Sequence, residues 1–305
     1  TVSFWDSGEY ILSASKLNVG HPPGAPLFQM LGAFFSIFAI EQSQIGFIMN
    51  LMSGVASAFT VLFMFWSISI LLSKISSSLK SKTDNYLTIL ISSFIASLSF
   101  IFTDTFWFNA VETEVYAMAT LIMSLLFYLG LRWEQEMHLP KGNRWLILIS
   151  FVVGLSFGVH FMGLLTIPSI GLIYFFKNYK TVTVKNFVLA NVAGVAILLF
   201  VFKLFAPNIL RYFSALEIFF VNSVGLPFNS GSVIAFIILV TFVYLGLNYT
   251  RKKGYIYLNT GLLCITFVVV GFSSWLLLPI RANANVTVNE NNPSSARELL
   301  AYYNL

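Results

Sequence analysis

Apolar residues run along this chain in long blocks separated by short polar stretches, and the blocks do not alternate. A segment such as Phe187 to Phe202 stays apolar on every face, whereas the strands of a membrane barrel would alternate apolar and polar positions over about 10 residues. Several blocks approach or exceed the roughly 20 residues a helix needs to cross a hydrocarbon core about 30 Å thick. The pattern predicts helices at 45–73, 86–103, 115–132, 145–159, 162–176, 187–206, 233–249 and 255–279. A further apolar stretch, Pro26 to Ile40, reads either as a span or as a helix lying in the interface. The expected fold is therefore all-α, a polytopic transmembrane bundle of about eight spans plus an interfacial helix.

Composition agrees: 57% of the residues are hydrophobic and 10% charged, against about 25% charged in soluble domains. Charge then orients the helices. If Pro26–Ile40 does not cross, the loops 74–85, 132–144, 177–186 and 250–254 share one face and carry twelve of the seventeen Lys and Arg residues, which marks that face as cytoplasmic. The net charge of +5 is thus spread over short loops rather than gathered in a patch, and no nucleic-acid partner is expected. The opposite face collects residues 1–44, the turn 104–114, the tip near His160, a loop at 207–232 and the tail from Arg281. Residues 1–280 read as the membrane core and 281–305 as the start of an outer region. The single cysteine, Cys264, excludes an intramolecular disulfide.

The unusual polar chemistry lies on that second face. In Trp5-Asp6-Ser7-Gly8-Glu9-Tyr10 two carboxylates stand three residues apart, on one face if the segment is helical; the same residues also suit a helix N-terminus. Gly20-His21-Pro22-Pro23-Gly24-Ala25-Pro26 forbids a regular helix and fixes His21 in an extended turn, or simply punctuates a helix start. The turn Phe102–Tyr116 holds Asp104, Glu112 and Glu114 among aromatic residues; it reads as a polar site or as an interfacial belt, with Glu112 and Glu114 abutting the next helix. His160 sits at a hairpin tip, and Arg281 follows an apolar run, where a guanidinium either anchors at the interface or grips a phosphate. There is no glycine-rich nucleotide loop, Cys/His metal cluster or nucleophile elbow.

In order along the chain, WDSGEYI, VGHPPGAPLF, FNAVETEVYAM and IRANANVTVNENNP resemble a bacterial membrane family, common in Bacteroidetes, related to the animal protein O-mannosyltransferase of the endoplasmic reticulum and similar to the GT-C superfamily of glycosyltransferases. The resemblance implies a helix before Thr1 and an extracytoplasmic region beyond Leu305. It also implies a bacterial inner-membrane enzyme working on the periplasmic side, moving a sugar such as mannose from a polyprenyl-phosphate donor to a hydroxyl, in protein Ser or Thr or in a glycan, with inversion. Asp6 then matches the acid placed at the acceptor, where partial desolvation would strengthen it as a base, and Glu9 is its partner in catalysis. Glu112 and Glu114 occupy the second acidic turn beside Tyr116; Arg281, His160 and His21 are expected to bind substrate and stabilise the leaving phosphate. No cofactor is expected; a divalent metal is conceivable with acids from two outer turns but is not required. A transporter or flippase, or a non-catalytic binder of lipid-linked sugar, would use a similar polar face; the absence of an internal repeat weighs against the transporter.

Overall fold

A computed structural model describes residues 5–78 and 86–305, so Lys80 and Lys82 of the first basic loop lie outside the described residues. The chain forms α1 (Ser7–Lys16), α2 (Pro26–Ser36), α3 (Ile45–Ser78), α4 (Tyr86–Ile101), α5 (Asp104–Ala110), α6 (Val115–Glu136) and α7 (Asn143–Ser156). It continues with α8 (Ile167–Asn178), α9 (Val184–Leu199), α10 (Ala206–Ile218), α11 (Ser230–Lys252), α12 (Ile256–Phe272), α13 (Leu277–Ala282) and α14 (Ala296–Tyr303). Among the described residues the only β-pairing is one bridge between Val19 and Asn289. By length and composition six helices can cross a membrane, seven if the bent pair α4 and α5 is one span. Asn143–Ser156, with 14 residues, is shorter than these. The protein is a multi-pass membrane protein.

α2 has 11 residues, about 16 Å of helix and too short to cross. Phe34, Ile37, Phe38 and Ile40 stand exposed at its end, as an interfacial helix requires. Its N-terminus is fixed rather than frayed: the Gly158 carbonyl accepts Leu27 N at 2.8 Å and Phe28 N at 3.2 Å. The non-crossing arrangement also appears at the basic face. There Lys74 from the end of α3 and Lys177 from the end of α8 both pair with Glu134 of α6, and Asn143 Nδ2 reaches Thr260 Oγ1 at 3.1 Å. The ends of these basic loops therefore lie on one side.

One expectation is corrected. The stretch 207–232 is not an outer loop for most of its length, because α9 runs on through π-helical turns at Phe200–Phe205 and Phe219–Ser223 and encloses α10. Pro207 and the polar residues Asn208, Arg211 and Glu217 give this segment the look of a loop. Pro207 directly follows the π-helical turn Phe200–Phe205, an irregularity of the hydrogen-bond ladder of the kind that accompanies a proline in a continuing helix. The buried Glu217 accepts Asn229 N and Ser232 N, each at 2.6 Å, and so caps α11.

Outward faces of α9 and α11 expose Leu189, Val192, Phe236 and Ile237, which suits lipid as their solvent. The core runs continuously from the outer segments into the bundle through Tyr10, Phe28, Met49, Leu126, Phe157 and Trp275. α14 belongs to it, with Leu299 and Tyr302 buried.

Candidate active site

α1 carries the first acidic pair. Asp6 stands at its N-cap position with φ −91° and ψ 2°, yet its side chain makes no capping bond. The cap comes from the other acidic turn: Glu114 Oε1 accepts Asp6 N at 3.1 Å and Ser7 Oγ at 3.3 Å. At the far end Leu17 is left-handed, and Arg281 donates Nε to the Leu17 carbonyl at 2.6 Å and Nη2 to the Lys16 carbonyl at 3.2 Å. A carboxyl at the N-terminus and a guanidinium at the C-terminus each complement the helix dipole. α1 is thus held from both ends, and the Asp6 carboxylate is left unspent. Arg281→Ala removes two charge-assisted bonds, and hydrogen exchange across Ser7–Lys16 should then quicken about tenfold, with Arg281→Lys restoring part of the protection. Unchanged exchange would show that Arg281 does not hold the helix.

His21 is brought onto α1 by the tail. Val19 N donates to the Val288 carbonyl and Glu290 N to the Val19 carbonyl, each at 3.0 Å, while the Tyr302 hydroxyl donates to the Gly20 carbonyl. So placed, His21 donates its backbone N–H to Glu9 Oε1 at 2.7 Å and sets Nδ1 2.9 Å from Glu9 Oε2. Its Nε2 lies 3.7 Å from Asp6 Oδ2. A Cβ at Gly20 would come within 2.7 Å of Glu9 Oε1, so a larger residue there would displace the carboxylate that holds His21. Both oxygens of Glu9 are occupied by His21, whereas the Asp6 side chain is 55% exposed. Glu9 therefore positions the imidazole, and Asp6 is the carboxylate available to a substrate. One ligand atom each from Asp6, Glu9 and His21 lies within 4.8 Å of the others, a donor set that also suits a divalent cation.

The second acidic turn lies against the first. Glu114 is buried; burial first and then the Asp6 charge push its carboxyl up to about 7, despite the hydrogen bond from Ser7. Burial also raises Glu112. Tyr10, tilted beside His21 with ring centroids 5.8 Å apart, is raised by burial and then by Glu114, Asp6 and Glu9. A cavity of about 670 Å³ opens next to these groups, its wall including Ser7, Asn50, Glu112 and Thr113. Thr113 Oγ1 donates to Asn50 Oδ1 at 2.6 Å.

Glu114 makes the fold pH-dependent. Its folded-state value lies above the ordinary 4.5, so the folded protein holds this proton more tightly than the unfolded chain. The resulting stability is complete below pH 4.5 and is lost as pH rises through about 7. Thermal unfolding should accordingly show a midpoint that falls over this interval in the wild type and a flatter profile in Glu114→Gln. Parallel profiles for the two proteins would remove Glu114 as the cause.

His160 and Tyr116 form a separate pair, with ring centroids 5.4 Å apart. His160 Nδ1 accepts Met162 N at 3.1 Å, and burial lowers the imidazole pKa, so the ring is neutral with its proton on Nε2. The structure thus gathers Asp6, Glu9, His21 and Glu114 in one cluster, sets Glu112 on the adjoining cavity, and turns Arg281 to the end of α1. Asp104 and Trp107 are exposed beside Phe102, as an interfacial belt would be. Ser7, Tyr10, Asn50 and Thr113 were not anticipated; Asn50, polar within the apolar run of α3, was the one legible signal among them.

The fold and this cluster define a multi-pass, all-α membrane protein with an acid–histidine site at the face opposite its basic loops. The chain belongs to the family of the protein O-mannosyl-transferase TMEM260 N-terminal domain, which it matches over residues 6–183. The protein O-mannosyl-transferase tmem260 of Dictyostelium discoideum is 26% identical over 151 residues, covering 48% of this chain and 16% of that protein. Protein O-mannosyl-transferase TMEM260 of Mus musculus is 26% identical over 151 residues, covering 50% of this chain and 19% of that protein. The aligned region is thus a small part of these relatives' length. No solved structure matches the chain.

Proposed function

We propose that this chain is the membrane core of a GT-C-type glycosyltransferase that moves a sugar, with mannose the first candidate, from a polyprenyl-phosphate donor to a hydroxyl of protein Ser or Thr. The face carrying Asp6 is then extracytoplasmic, periplasmic in a bacterial inner membrane. The observation that carries the reading is the unspent Asp6 carboxylate, backed by a Glu9-held His21 and adjacent in the chain to Ser7, which lines a cavity. The family's mannosyltransferase names support the reaction class.

In the proposed step Asp6 accepts the proton of the attacking hydroxyl. The acceptor oxygen bonds to the anomeric carbon as that carbon's bond to the phosphate oxygen breaks, and the polyprenyl phosphate leaves with the electron pair. His21, held by Glu9, borders Asp6 with Nε2 3.7 Å from Oδ2, beyond hydrogen-bond reach. Arg281 acts by holding α1 and His160 is neutral at rest, so neither supplies a ready positive charge to the leaving phosphate in this geometry.

A single displacement inverts the anomeric centre. With a donor of defined configuration, NMR of the product glycoside should show the opposite anomer. A product of retained configuration would contradict direct attack assisted by Asp6.

A further inference from the structure

The basic face carries a structure that the proposed reaction does not use. Glu134 is paired with Lys74 and with Lys177, the latter at 3.0 Å. Glu136 is paired with Arg132 at 3.0 Å and Arg144 at 2.7 Å, and accepts the indole N–H of Trp145 at 2.8 Å. Arg132 and Arg144 both lie over the Trp145 ring, each 5.3 Å from its centroid. Four cations thus surround two carboxylates, an excess of two positive charges beside the end of the bundle.

Directly alongside runs an almost wholly apolar groove of about 490 Å³, lined by residues of α6, α7, α8, α9 and α12. Its basic end is formed by Trp133, Leu146 and Tyr174. Trp133 lies between Arg132 and Glu134, Leu146 is two residues past Arg144, and Tyr174 is one helical turn before Lys177. At this end the rings of Trp133 and Tyr174 stack at 5.7 Å with an interplanar angle of 14°. From Leu146 to Val153 the groove follows α7 inward for about 10 Å. Two buried donors at the basic end, Arg132 Nε and Trp133 Nε1, have no acceptor among the described residues, and Trp133 is only 8% exposed.

We propose that this groove is a binding site for one anionic phospholipid of the leaflet at the basic face, with part of an acyl chain between α7, α8 and α12 and the phosphate held by the Arg132–Arg144–Lys177 rim. The groove opens among membrane-spanning helices, so the apolar molecule at hand is a lipid chain. The excess of positive charge selects an anionic headgroup over a zwitterionic one. This inference is independent of the glycosyltransferase reading, because the groove lies at the opposite end of the bundle from Asp6.

Native mass spectrometry of the delipidated protein, titrated with an equimolar mixture of phosphatidylglycerol and phosphatidylcholine, tests it. One saturable phosphatidylglycerol adduct should form with about fivefold preference. Arg144→Gln combined with Lys177→Gln should abolish that preference. Each carboxylate keeps a second cation in this variant, Glu136 with Arg132 and Glu134 with Lys74, so folding should survive. The single Arg144→Gln variant, expected to lose part of the preference, serves if the double variant does not fold. Val153→Trp, which fills the groove, should reduce occupancy by either lipid. The absence of a saturable adduct, a preference untouched by loss of the cations, or a dimer mass in place of the lipid adduct would overturn the proposal.

Discussion

On the proposed reading, Asp6→Asn should lower sugar transfer by about 10²-fold or more while leaving the amount and the melting temperature of the protein unchanged. The size follows from what a positioned base contributes, about 10²–10⁴ in rate. The unchanged stability follows from the geometry: the Asp6 side chain is more than half exposed and makes no capping bond, so the fold does not rest on it. Asparagine keeps the shape and an oxygen toward His21 Nε2 but accepts no proton. The measurement is initial transfer rate per mole of purified protein. A variant retaining more than half the wild-type rate would remove Asp6 as the base and shift attention to Glu112, whose carboxyl borders the same cavity.

Gly154→Ala should destabilise the protein by about 3 kcal/mol, a large effect for one methyl group. α7 and α12 meet with their backbones almost in contact: a Cβ on Gly154 would fall 2.2 Å from the Val268 carbonyl oxygen, and one on Gly271 would fall 2.4 Å from that of Phe151. Neither contact is the movable end of a side chain, so the helices must separate, and overpacking of this kind costs about 1–3 kcal/mol or more. Small residues at such crossings are how membrane helices gain packing without a hydrophobic drive. Gly261→Ala on the same helix is the control, because nothing lies within 4 Å of its Cβ. It should be neutral or stabilise by up to about 1 kcal/mol. Thermal unfolding in detergent distinguishes them; equal melting temperatures would show that the α7–α12 crossing is looser than described.

Much of this architecture was legible because the bilayer imposes a coarse rule: long apolar runs must be helices, and basic loops must share a side. The long apolar helices between α3 and α12 follow from that rule, although six or seven rather than about eight are long enough to cross, and α2 is too short to do so. The helix at 206–218 did not, since its Pro, Asn, Arg and Glu residues imitate a loop and only the packing of α10 against α11 and α14 shows otherwise. The acids and His21 were visible as motifs, but their division of labour was not. Glu9 could be told from Asp6 only once His21 N and Nδ1 were seen on its two oxygens. Glu114 capping a helix 108 residues away, and Arg281 closing the same helix from 264 residues away, are long-range contacts that local pattern does not encode. The guanidinium that suggested a phosphate ligand donates to the last carbonyls of the helix that follows Asp6.

These contacts make one unit of sequence-distant parts: the tail sets His21, Glu114 and Arg281 set α1, and together they leave the Asp6 carboxylate free, next to a residue that lines the cavity. The central claim is that this unit transfers sugar from a lipid carrier. Its most direct test is recovery of radiolabel in a Ser/Thr acceptor peptide when the protein, in membranes, is offered a panel of polyprenyl-phosphate sugars beside the matching nucleotide sugars. Label arriving from at least one lipid-linked donor, and from none of the nucleotide sugars, is the predicted result. No label from any lipid-linked donor would contradict the enzyme reading and favour a transporter or a non-catalytic binder built on the same cradle.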